Sequence, residues 1–188
     1  MIARDVRLYS PPSVSEKEIL RYAGGGDGEV KELLSECLRE IEGKLSYKVC
    51  RAIVPVDICG NLVDFGFASV FSENLSKNLK GCRSAVIFAA TVGLAPDRLI
   101  ARYCVTSPAK ALLFQAVGAE RIEALCDAVS SEYEGSRPRF SPGYGDLPLA
   151  FQKEIFRLLD CPRTIGVTLN ESLLMSPSKS VTAIMGIK

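Results

Sequence analysis

Apolar positions recur at three- and four-residue steps from Val30 through Leu33, Leu34, Cys37, Leu38 and Ile41 to Leu45. Lys31, Glu32, Glu36, Arg39 and Glu40 fall on the opposite face. That stripe predicts an amphipathic helix docked by one side, its charges in solvent. Ahead of it, Ser15-x-x-Glu18 is a capping box that opens a short helix with Ile19, Leu20 and Ala23 inward. Residues 1–12 read as an extended arm ending in Pro11-Pro12. Between the helices stands Gly24-Gly25-Gly26-Asp27-Gly28. A phosphate loop would need a following Lys-Ser/Thr, and the glycine loop of a Rossmann-type methyltransferase would need a buried strand before it. Neither is present, so the run is expected to be a solvent-exposed connector that ends one helix before the next.

Beyond residue 46 the period changes. Tyr47 to Ile58 alternates as a long strand, Asn61 to Val70 suggests a shorter one around Gly66, and Ser72 caps a helix through Leu75 and Leu79. Ser84 to Gly93 is apolar on both faces, the mark of a strand covered on both sides. Helices are predicted over Asp97 to Tyr103 and from Pro108 through Leu112, Ala116, Ile122, Leu125 and Cys126 to Val129. Asp146 and Pro148 start another, carrying Phe151, Ile155, Phe156 and Leu159 and ending near Asp160-Cys161-Pro162. Thr164 to Leu169 is predicted as a strand with Ile165, Val167 and Leu169 on one face, broken by Asn170-Glu171-Ser172. Met175-Ser176-Pro177 reads as a loop and Ser180 to Met185 as the last strand.

The 188 residues predict one domain, with residues 1–45 an arm and helical pair and 46–188 an α+β core. A net charge of +1 argues against a nucleic-acid partner. Seven cysteines are an odd number with no C-x-x-C pair, against both a disulfide framework and a zinc ribbon. They read as small buried hydrophobes in a reducing, cytoplasmic setting. The opening residues lack the apolar stretch of a signal peptide, and the longest apolar run, Ala85 to Pro96, is too short to span a membrane. The absence of histidine removes Ser-His-Asp chemistry and histidine-based metal sites, so no catalytic residue and no metal ligand is assigned.

The one dense cluster suited to a small charged ligand lies from Ser136 onward. Pro138 and Pro142 stiffen the chain around Arg139, Gly143 permits close backbone approach, and Tyr144 adds a flat face with a hydroxyl. An arginine so held can clamp a carboxylate through two parallel hydrogen bonds. The alternative is a surface arginine in a proline-rich turn. Glu123, on the long helix, is either a ligand contact or a solvent-facing flank residue.

Arg139-x-x-x-Gly143-Tyr144, then Leu169-x-Glu171-Ser172-x-x-Met175-x-Pro177 and Ser180-Val181, resembles the C-terminal reactivation domain of cobalamin-dependent methionine synthase. The resemblance is closer still to the short stand-alone proteins related to that domain. Phe88 to Leu94 and Leu99 to Tyr103 extend it to roughly residues 84–187. It implies an α+β fold, a mainly antiparallel sheet packed with helices, preceded here by the N-terminal helical pair. It also implies S-adenosylmethionine as ligand and a role in reductive remethylation of the cobalamin of a separate methionine synthase or related corrinoid methyltransferase. In that chemistry the cobalt is the nucleophile and the sulfonium an activated leaving group, so the protein positions rather than supplies an acid or base. With no histidine to ligate cobalt, the cobalamin would be carried by a partner, with a flavodoxin-like or ferredoxin-like electron donor.

By the same resemblance, Arg139 pairs with the methionyl carboxylate, Gly143 lets the backbone approach, and Tyr144 lies against the ligand. Glu123-Ala124 matches a family glutamate near the ligand and would meet its ammonium or hydroxyl groups. Glu171 either braces the Arg139 connector or touches the ligand. The pattern departs from the family's after Tyr144, where Gly145-Asp146-Leu147-Pro148 stands for Pro-Ala-Cys-Pro, and the family's N-terminal site aspartate and C-terminal tyrosine pair have no counterpart. Two other function classes compete: a non-catalytic module that docks on a corrinoid protein without S-adenosylmethionine, and an independent Rossmann-type methyltransferase built on Gly24 to Gly28.

Overall fold

The computed structural model describes residues 2–26 and 28–188. Its frame is a four-stranded antiparallel sheet made of β1 (Asp5–Leu8), β2 (Lys48–Pro55), β6 (Ser84–Thr91) and β9 (Ser180–Ile187), in the order β1-β2-β6-β9. The extended arm is therefore an edge strand, paired Asp5 to Arg51 through Leu8 to Lys48. Alternation splits the sheet's side chains between two cores. Cys50, Ala52, Val54, Ala85, Ile87, Ala89 and Ile184 face one side; Val49, Val86, Phe88, Ala90, Ala183 and Met185 face the other.

The first side is covered by α6 (Gln152–Leu159) and by a small antiparallel sheet of β3 (Asp57–Cys59), β4 (Leu62–Asp64) and β5 (Ser69–Phe71). The region predicted around Gly66 is thus a hairpin, with Gly66 at φ 75° in its turn. The second side is covered by the C-terminal half of α5 (Pro108–Ser131), through Ile122, Leu125, Cys126 and Val129. The N-terminal half of α5 instead packs Leu113, Phe114, Ala116 and Val117 against α1 (Glu16–Tyr22), α2 (Gly28–Ile41) and α4 (Ala95–Thr106). The N-terminal helical pair is therefore part of a helical layer that one long helix joins to the sheet.

Ser15 caps α1 as its motif predicts, accepting from Glu18 N, and Ser72 caps α3 (Glu73–Asn78) by accepting from Leu75 N. Gly24 and Gly25, both at positive φ, close α1 with amide bonds to the Arg21 and Leu20 carbonyls. Gly24, Gly25, Gly26 and Gly28 are exposed between two helices; Asp27 lies outside the described residues. Every named strand pairing is antiparallel and the element before the glycines is α1, so the Rossmann alternative is ruled out.

Two predicted elements need correction. The strand expected over Thr164 to Leu169 is confined to β7 (Thr168–Leu169), which pairs with β8 (Met175–Ser176); its first residue, Thr164, ends a further helical turn, α7 (Cys161–Thr164). Pro162 at the start of α7 and Thr164 Oγ1 donating back to the Leu159 and Asp160 carbonyls favour the turn over extension. Second, Asp146 does not start α6. It reaches across to α3, accepting from Glu73 N (2.7 Å), Asn74 N (3.2 Å) and the Ser72 hydroxyl. Those bonds hold the carboxyl below its usual pKa, the Ser72 contact foremost.

Candidate functional site

Residues 137–140 run beside β9 as a further edge: Arg137 N donates to Gly186 O, and Phe140 and Ile184 exchange both backbone bonds. Asn78 Nδ2 donates to the Pro138 carbonyl and fixes the same connector from α3. Between this connector, α6, the β7–β8 hairpin and the start of β9 opens a cleft of about 840 Å³. Arg139, Phe140, Pro142, Tyr144, Leu149 and Val181 form much of its lining, with Gln152, Ser180 and Thr182 as buried polar groups.

The cleft brings Glu123, Arg139 and Tyr144 together. Tyr144 is 69% exposed, on the rim. Gly143, between two lining residues, sits at φ 91°, donates to Leu147 O and would place a Cβ 3.4 Å from Leu149 Cδ1. The sequence after Tyr144 anchors this loop. Asn74 packs where a Gly145 side chain would be, Asp146 caps α3, and Leu147 is buried in the core. Glu171 lies apart, exposed in the β7–β8 turn; its neighbours Leu173 and Leu174 line the cleft and Glu171 does not.

Arg139 is braced from α5. Its Nη1 donates to Asp127 Oδ1 (2.6 Å) and Ser130 Oγ (3.1 Å), and its Nη2 to Glu123 Oε2 (3.0 Å). Burial works against the guanidinium's charge, yet the Asp127 bond and the nearby negative charges leave its pKa raised. Nε has no hydrogen-bond partner among the described residues, so Nε and the second Nη2 hydrogen remain as a two-pronged donor edge. Sequence reasoning missed Asp127, Ser130 and Gln152. The signals were there: 123, 127 and 130 share a helix face, and Gln152 falls on the inward stripe with Ile155, Phe156 and Leu159.

The far wall is pinned from α4. Asp97 accepts from Ser178 N (3.0 Å) and from the Ser178 hydroxyl, and Val92 N donates to Lys179 O. The Lys179 stem lies against Gly118 of α5; burial pulls its ammonium's pKa down, and Asp97 offsets this only in part.

Residues 114–187 match the family described as the vitamin B12 dependent methionine synthase, activation domain. Over that segment the chain is similar to that domain. The match takes in α5 from Phe114, the Arg139 connector, α6 and β9. The fold agrees over a wider span: the crystal structure of the MetH reactivation domain bound to AdoHcy superposes with a TM-score of 0.71 at 15% identity, covering 98% of this chain and 78% of that one. No curated protein sequence matches. Among the described residues, no helix is long and apolar enough to cross a membrane, and no group of three His, Cys, Asp or Glu side chains is placed to hold a metal.

Proposed function

We propose that the chain binds S-adenosylmethionine in the cleft beside Arg139 and serves the reductive remethylation of cobalamin on a separate methionine synthase or related corrinoid methyltransferase. The observation that carries this reading is the open Nε–Nη2 edge of Arg139, held by Asp127 and Ser130 at a mostly apolar cleft within the matched segment. Its size suits a nucleoside-bearing ligand, since small-molecule sites span roughly 300–1,000 Å³. The methionyl carboxylate would take the open edge of Arg139, and Glu123 would share its charge between Arg139 and the ligand's ammonium. The sulfonium brings its own leaving group, so this chain's residues bind and orient. The cobalamin and a flavodoxin-like or ferredoxin-like electron donor would come from partners in the cytoplasm.

One observation favours a second reading, a docking module that binds no S-adenosylmethionine: Arg139 is already paired with Glu123 and Asp127. Calorimetric titration of the whole chain with S-adenosylmethionine and S-adenosylhomocysteine separates the two. On our reading the wild type binds both, and Arg139→Lys weakens binding about ten- to a hundredfold, the worth of a charge-assisted pair. Arg137→Lys leaves affinity unchanged, because Arg137 Nη2 is spent on the Lys80 carbonyl (2.7 Å). No binding by the wild type, or a loss confined to Arg137→Lys, would sink the proposal.

A further inference from the structure

The outer wall of the cleft is the turn at 170–174, and little local structure holds it. The ribbon beneath it pairs only Thr168 with Ser176 and Leu169 with Met175, too short to be stable by itself. Leu173 adopts φ 62°, a left-handed conformation unfavourable for a residue with a side chain. Within the turn, Leu173 N donates to Asn170 O, Asn170 N to Leu174 O, and Leu174 N to Asn170 Oδ1. Leu174 itself is 64% exposed.

Among the described residues, one side chain from outside reaches this turn through a polar bond. Gln152, the first residue of α6, is 4% exposed and lines the cleft. Its Nε2 donates to Leu173 O at 3.0 Å, and its Oε1 accepts, at 3.5 Å, from Thr182 Oγ1 of β9. A single buried amide thus joins three of the four elements that wall the cleft. A glutamine on an otherwise apolar helical stripe carries a desolvation cost that packing alone does not explain.

We propose that Gln152 is a positioning residue that latches the 170–174 turn closed through the Leu173 carbonyl, so that ligand affinity depends on a hydrogen-bond donor at position 152. The effect on affinity rests on reading the cleft as an S-adenosylmethionine site; the effect on the turn does not.

Two variants test it, with amide hydrogen exchange and calorimetric titration of S-adenosylhomocysteine as readouts. Gln152→Leu removes the donor at similar size. Gln152→Glu keeps the shape but, when ionised, offers only acceptors to a carbonyl. In both, protection of the Leu173 and Leu174 amides should fall about tenfold near neutral pH, as for one net hydrogen bond lost, while protection in β6 and β9 stays. In Gln152→Glu alone, protection should return as pH falls, because the protonated carboxyl again donates; burial raises the pH at which this happens. A role in general stability would lower protection in β6 and β9 along with that of the turn. S-adenosylhomocysteine affinity should fall about tenfold in parallel. Unchanged protection at 173 and 174 in both variants overturns the latch, and so does an open turn with unchanged affinity. Should the wild type bind no S-adenosylhomocysteine, the functional reading fails by itself, and the exchange profiles still decide whether Gln152 holds the turn.

Discussion

At the scale of single residues, Gly118 shows how a small side chain in α5 shapes the site. A Cβ there would lie 2.9 Å from Lys179 Cγ and 3.1 Å from Cδ, so the helix carries a notch in which the lysine stem rests. Gly118→Ala gains up to about 1 kcal/mol of helix propensity but forces about 1–3 kcal/mol of overpacking, for a net loss on the order of 1 kcal/mol. Urea denaturation measures it. Shortening the stem with Lys179→Ala in the same chain should recover most of that loss, as expected for two residues in contact. Recovery would show that the notch serves the lysine; additive losses would show that it does not. Cys126 offers a second test at this scale. Burial pushes its thiol up to about 12 from an ordinary value of 9.0. The unfolded chain ionises that thiol first and so binds fewer protons, which makes stability fall as pH rises from about 9 towards 12. Comparing unfolding free energies of wild type and Cys126→Ala across this window, the wild type should lose up to about 1.4 kcal/mol more per pH unit.

Among elements, α3 is a short helix held from two sides. Ser72 satisfies Leu75 N from within the chain's own local sequence (3.0 Å), while Asp146 satisfies Glu73 N and Asn74 N from across the fold. Ser72→Ala should cost about 1 kcal/mol in denaturant unfolding, a typical value for a lost cap. Asp146→Ala should also lower the melting temperature and loosen the 143–147 loop that carries Tyr144, seen as faster amide exchange there. Because the carboxyl's pKa is depressed in the fold, its contribution is present above the ordinary aspartate value and fades as pH falls through the folded one. The place that departs from the activation-domain pattern, Gly145 to Pro148, is therefore the place where this chain ties its site loop to α3.

Across the whole molecule, α5 is the shared beam. Its first half closes the helical layer, its second half covers the sheet, and its exposed flank presents Glu123, Asp127 and Ser130 to Arg139. The helical layer is thus joined through α5 to the guanidinium, while α3 holds the Arg139 connector through Asn78 and α6 holds the 170–174 turn through Gln152. The buried Arg51, paired with Asp5 and Glu132, ties the edge strand β1 to the C-terminal end of the same helix.

Much of this was determined by the sequence itself. The helices α1, α2, α5 and α6, the caps at Ser15 and Ser72, the two-sided strand β6 and the stiff connector at Arg139 all follow from local periodicity and backbone restriction, which act over a few residues. The Arg139-Gly143-Tyr144 cluster was legible for the same reason. Tertiary structure decided what those residues meet. Only packing turned the arm at residues 5–8 into an edge strand, placed Asp146 on a helix more than seventy residues away, moved Glu171 out of the lining and set Asp127 and Ser130 behind Arg139. It also limited the strand to Thr168 and Leu169, although Ile165, Val167 and Leu169 alternate as a longer strand would. Hydrogen bonds between distant residues leave no period in a sequence, because their partners are chosen by the path of the chain rather than by neighbouring positions.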